Sequence, residues 1–208
     1  MIRTIDEVTL PNEYDNNLSD FVKYFEEYYS KVPASKERRE NRRDAAEELR
    51  DVIIIFLLLL RLQIENGAFN YDYLLNTFRN DFERAVGKFV TIDEYMSTYI
   101  KNETQMILDN TLNNLDNPGY YLSEDRATID AANEGSIVIN YAELQKAIDE
   151  GKTKKKWKTS LDNKVRPTHA EVEGKTIPIE DYFIVGGCAM MMPHDPECEN
   201  MKEVANCR

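Results

Sequence analysis

Val52-Ile53-Ile54-Ile55-Phe56-Leu57-Leu58-Leu59-Leu60 is the most apolar run in this chain, and its reading decides the fold. Nine apolar residues closed by Arg61 fall well short of the ~20 a membrane-spanning helix needs, so the run reads as a helix buried on most sides. Upstream, Ser35 followed by Glu37 and Arg38-Arg39-Glu40-Asn41-Arg42-Arg43 supplies an N-cap and a very polar first half. Downstream, Asn66-Gly67 is a C-cap pair. No breaker lies between, so the spacing predicts one helix of about 30 residues, roughly 45 Å long. One solvated half and one greasy half suggest a helix that reaches between partners.

Working outward, Leu18, Phe21, Val22, Phe25, Tyr28 and Tyr29 recur at helical spacing over 14–31, with Val32-Pro33 closing that helix. Residues 1–12 read as a lead-in with a break at Pro11-Asn12. They carry charge where a secretory leader would be apolar, so no leader is expected. On the other side, one stripe runs Phe69, Tyr73, Leu74, Phe78, Phe82 and Val86, and another Tyr95, Tyr99, Met106, Ile107 and Leu112. Asn113 to Gly119 is a strong loop signal and the preferred internal boundary. Ser123 then caps a helix with acids in its first turn, expected to reach Tyr141 or Asp149 before Gly151 ends it.

After Gly151 the pattern changes. Trp157-Lys158-Thr159-Ser160-Leu161 alternates like a short strand. A brief helix is expected over 166–173 with Gly174 closing it. Thr176 to Ile179 and Tyr182 to Val185 read as extended, and Pro193, Pro196 and the polar residues beyond as loop. The fold class is therefore α+β. An elongated, mostly helical region of four or five helices, one of them long, covers 1–119, and a small α+β module covers 120–208.

Charge divides the same way. The net charge of −12 argues against a free duplex-DNA binder, whose footprint would be basic. Residues 151–208 hold 10 basic and 9 acidic residues, so the acidity belongs to the helical part. Lys152, Lys154, Lys155, Lys156 and Lys158 surround the single tryptophan, Trp157, a composition that can meet phosphates and stack a base. The plainer reading is a solvated linker with Trp157 as a core anchor.

Three cysteines is an odd number, which does not suggest a secreted disulfide framework; free thiols in a reducing compartment, or a metal, is the expectation. His169, Cys188, His194, Cys198 and Cys207 are five zinc-type ligands within 39 residues, without the C-x-x-C pair that would prearrange an ion. The expectation is no cofactor, with zinc as the alternative. Asp162, Arg166, His169, Glu171 and Asp181 offer an acid, a base and a cation, as a nuclease or transferase would need, but charged residues also populate any solvated helix face.

One ordered set changes the weighting. Ser123-Glu124-Asp125-Arg126-Ala127, Asn133-Glu134, Gly151-Lys152, Lys156-Trp157-Lys158-Thr159, Asp162, Val165-Arg166, His169, Gly174, Phe183, Pro193, Asp195 and Asn206-Cys207-Arg208 resembles the tailed-phage minor head proteins, also called head morphogenesis or Mu-F-like proteins. The likeness runs from Tyr121 to the end. Many members carry two nearby cysteines where this chain has Val165 to His169.

The resemblance implies a low-copy virion protein associated with the portal vertex and, in some members, ejected with the DNA. It implies the portal and other head proteins as partners, self-association or assembly, a transient DNA contact through Lys152–Lys158, and residence in the phage head after synthesis in the bacterial cytoplasm. It transfers no catalytic role, so an interaction protein rather than an enzyme is expected. Trp157, Asp162, Arg166, His169, Asp195, Asn206 and Cys207 become motif residues of structural or unknown role, the structural reading pairing Arg166 with Asp162 or Asp195. The rival reading is a phage-encoded effector enzyme or a zinc module built on Asp162, Arg166, His169 and the cysteines.

Overall fold

A computed structural model of the chain describes residues 18–30, 34–161 and 163–204. The lead-in at 1–12, the Val32-Pro33 break, Asp162, Asn206 and Cys207 lie outside the described residues. The long helix is α2, Lys36–Glu65, capped by the Ser35 side chain accepting from the Arg38 N–H and ended at Asn66. Gly67 follows with φ +62°, the left-handed conformation glycine tolerates without strain. Before it, α1 (Leu18–Ser30) lies on α2. After it come α3 (Tyr71–Val86) and α4 (Glu94–Asn113), then the short α5 (Pro118–Tyr121), and α6 (Glu124–Asp149), capped by Ser123.

The body is organised around the α2–α6 pair, with α3 against α2 and α4 against α3. The greasy half of α2 is buried inside this bundle, where Phe56 stacks on Phe78 at 4.1 Å. The polar half buries one face too, against expectation, while Lys36, Glu37, Asn41, Asp44 and Asp51 stay exposed. Arg42, Ala45, Ala46, Leu49 and Arg50 face inward, so α2 is a central strut and not an arm reaching between partners. Close approach makes this feasible: a Cβ added at Gly135 of α6 would lie 2.9 Å from the Ala46 amide nitrogen. Arg50 keeps its charge satisfied by donating to Thr128 (2.9 Å) and Glu124 (2.7 Å), while its guanidinium sits 4.0 Å over Phe21.

Beyond α6, Gly151 (φ +71°) turns the chain into two antiparallel strand pairs, which confirms the α+β class. Strand β1 (Lys154–Lys156) pairs with β2 (Thr176–Pro178), and β3 (Phe183–Val185) with β4 (Cys188–Met190). The strand expected at 157–161 therefore lies earlier. Pairing persists to Trp157, whose N–H donates to the Lys175 carbonyl at 3.0 Å, and then stops; Leu161 takes φ 58° and is exposed. Helices α7 (Pro167–Ala170) and α8 (Met201–Val204) complete the module.

Two apolar cores result. The larger joins α1 to α6, so residues 120–150, grouped with the C-terminal module on sequence grounds, pack with the helical body. The smaller consists of Trp157, Val172, Phe183, Val185, Met190, Cys198 and Val204. Ile179 and Met192 cross over from the module into the larger core. No helix among the described residues is long and apolar enough to cross a membrane.

Candidate functional site

Three arrangements bring the motif residues together. The first holds the small module. His169, on α7, places Nε2 3.1 Å from the Glu203 carbonyl oxygen, so that nitrogen carries the proton and donates. The Glu203 carboxylate lies 3.3 Å from the same nitrogen and accepts from the Thr168 hydroxyl at 2.7 Å. Trp157 packs edge-on to both His169 and Phe183, at 5.8 and 5.1 Å between ring centres. Burial, and then the Arg166 charge, lower the His169 pKa and keep the ring neutral. Being buried and engaged this way, His169 is not presented as a base to a substrate.

The second arrangement clamps the module to the body. Asp195 is fully buried and accepts from the Tyr95 hydroxyl (2.8 Å) and from the backbone N–H groups of Met191 (2.5 Å) and Glu197 (3.0 Å). These donors, rather than an Arg166 pair, hold this carboxylate. Tyr95 stacks on Tyr141 of α6 at 4.6 Å. Asn140 donates to the Pro193 carbonyl at 2.8 Å and accepts from Arg42 of α2, joining three segments through one amide.

Closing this 188–198 segment is a disulfide between Cys188 and Cys198. The structure thus corrects the expectation of free thiols and removes both cysteines from the zinc set, since a disulfide sulfur is not the thiolate a metal binds. His169 is engaged with Glu203, whereas His194 (φ 63°) lines a different surface. Among the described residues no group of three or more His, Cys, Asp or Glu side chains could hold a metal ion.

The third arrangement was not legible as a site. A groove of about 540 Å³ opens between α4, α6 and the 194–204 segment. Glu134 of α6 is buried against Tyr99 of α4, which donates its hydroxyl to Oε2. Glu103, Asp130 and Glu197 join it on the walls, beside apolar surface from Met106, Ile129 and Val204. Burial and then Asp130 push Glu103 up to about 8, and burial and then Glu103 raise Glu134 well above the carboxylate range. Beside the groove, Arg126 pairs with the lining residue Asp130 at 3.2 Å and donates to Thr111 (2.6 Å) and to the Tyr121 carbonyl (2.9 Å). Asn133-Glu134 stood in the ordered motif, but nothing local revealed that Glu134 would face Glu103 across two helices.

The described residues thus form a helical body clamped to a small tryptophan–histidine module. The model of the phage Mu protein F-like family matches residues 76–208, and the chain belongs to that family. The match begins inside α3, so it takes in α4 to α6 and the module and leaves out α1 and α2. No curated protein and no solved structure matches the chain.

Proposed function

We propose that this protein is a minor, low-copy structural component of the phage head, seated at the portal vertex, which acts by binding the portal and neighbouring head proteins and leaves with the DNA. Family membership over residues 76–208 carries this reading. The architecture supports it in a specific way. The motif residues Trp157, His169 and Asp195 are all buried and serve cohesion, which leaves the outer surfaces for contacts. Contact with a partner falls to these outer surfaces, because the Val52–Leu60 run lies within the chain's own core. A transient DNA contact through Lys152–Lys158 fits the exposure of Lys152, Lys154, Lys156 and Lys158.

Mass spectrometry of purified virions, before and after triggered DNA ejection, tests the proposal. A few copies per particle that disappear from the emptied shells are expected. Absence from mature particles would overturn the head role, and retention in emptied shells would overturn the ejection step.

A further inference from the structure

We propose that the groove between α4, α6 and residues 194–204 receives a basic side chain, arginine or lysine with an apolar neighbour, presented by another head protein, and that Glu103 and Glu134 are the carboxylates that receive it. This rests on the reading of the chain as a head-assembly protein. The groove's volume of about 540 Å³ is within the range of sites that enclose a ligand and not merely a dimple between side chains. Its chemistry is one-sided. Glu103, Asp130, Glu134 and Glu197 line it, and the neighbouring cation, Arg126, is held by Asp130, Thr111 and the Tyr121 carbonyl.

Glu134 is only 6% exposed, yet only its Oε2 has a hydrogen bond among the described residues, from Tyr99. Glu103 has none through either oxygen among the described residues. Ionising a carboxyl group in so confined a site is costly, and both groups avoid that cost by holding their protons. A cation with several N–H donors removes that cost. The walls then choose which cation. Met106 is 45% exposed at the mouth, with Ile129, Ile137, Pro196 and Val204 around it. Such surface suits the hydrocarbon stem of a long basic side chain, not a bare hydrated ion.

The occupant should come from a different protein. This chain carries a net charge of −12, so copies of it repel. Its own basic run, Lys154 to Lys156, lines a separate pocket with Asn140 and Glu143 on another face of α6.

Entry of the cation should expel protons. Glu103 holds its proton up to about pH 8, with Asp130 and Glu134 also raised, Tyr95, Tyr99, His194 and Glu197 facing the same space, and Arg126 paired to Asp130. A cation favours the ionised forms, so binding tightens as pH rises.

The full chain, titrated with N-acetyl-leucyl-arginine amide and with the uncharged citrulline counterpart, tests this by methyl NMR of Met106, Ile129 and Ile137. Saturable shifts with the arginine probe, at least threefold tighter at pH 8 than at pH 6, are expected, with none from citrulline. Glu103→Gln combined with Glu134→Gln should weaken binding at least tenfold. Met106→Lys, a change at an exposed site that leaves the core intact, should weaken it comparably by placing a cation at the mouth. Equal response to citrulline, or unchanged binding in both variants, overturns the proposal. So does an oligomer in sedimentation that dissociates both in the double variant and in a Lys154→Glu, Lys155→Glu, Lys156→Glu chain, since the occupant is then a second copy. The virion experiment stands apart. Arginine binding by a protein absent from virions defeats the head reading alone, whereas a virion protein whose groove ignores both probes defeats this one alone.

Discussion

The body and the module solve the same problem with different materials. The body buries long apolar stripes: Phe25, Phe78, Phe82, Leu60 and Ile100 are almost wholly inaccessible, and α2 and α6 touch backbone to backbone at Gly135. The module's own core gathers seven buried apolar residues among the described residues and cannot rely on area. It adds a disulfide, a histidine–glutamate contact, a buried aspartate with three donors, and two side chains inserted into the neighbouring core. Small cores commonly need such staples. The lesson is that polar and covalent links here mark where apolar burial runs short.

That contrast can be broken experimentally, because Trp157 is the single tryptophan and reports the module, while far-ultraviolet circular dichroism reports the helical body. The largest effect is expected from Phe78→Ala, which removes the ring stacked on Phe56 and should cost about 3–5 kcal/mol. Both probes should then melt earlier, since the module leans on the body. Reducing Cys188–Cys198 should cost roughly 2–3 kcal/mol by the chain-entropy argument for a loop of this size. Here tryptophan fluorescence should shift its midpoint and the helical signal should hardly move. A common shift in both would show that the two regions unfold as one unit.

Smaller again, His169→Ala should lower the module's melting point by the equivalent of about 1–3 kcal/mol, leaving the Glu203 carbonyl without its donor. Arg166→Ala should act in the same direction. A melt unchanged in both variants would remove the structural role assigned to them. The subtlest test is pH, where the two regions should respond with opposite sign. Glu103 is raised to about 8 in the folded chain against an ordinary 4.5, so the folded form holds a proton the unfolded form has lost. Body stability should therefore fall as pH rises from about 5 to about 8, on the order of 1 kcal/mol for a half-buried group. Glu103→Gln should flatten that slope. The His169 pKa is lowered from 6.5, so module stability should instead fall as pH drops below about 6.5.

The body was largely legible in the sequence because its signals are local. Ser35, Asn66 and Ser123 cap the helices they were expected to cap, and the apolar stripes fell largely on the buried faces, with Phe69 and Met106 the exposed exceptions. Burial of Arg42 and Arg50 was not legible, since their partners Asn140, Glu124 and Thr128 stand 74 or more residues away. The module was legible as a pattern but not as a mechanism. An odd cysteine count pointed away from the disulfide, and Glu203, the partner of His169, carried no signal of its own. The strand at Lys154–Lys156 was hidden because three lysines show no alternation, although pairing with β2 needs only their backbone. The groove escaped for the same reason: Glu103 and Glu134 become neighbours only when α4 meets α6.

The clamp at Pro193 and Asp195 has one more consequence, a topological one. The peptide bond from α6 into β1 is not what keeps the two regions together, because Asn140 and Tyr95 grip the far end of the module and Met192 is buried in the body's core. A protease that nicks the exposed Gly151–Thr153 turn should therefore yield two fragments that co-elute as one particle under native conditions. They should separate only when the 191–197 loop is pulled out of its seat.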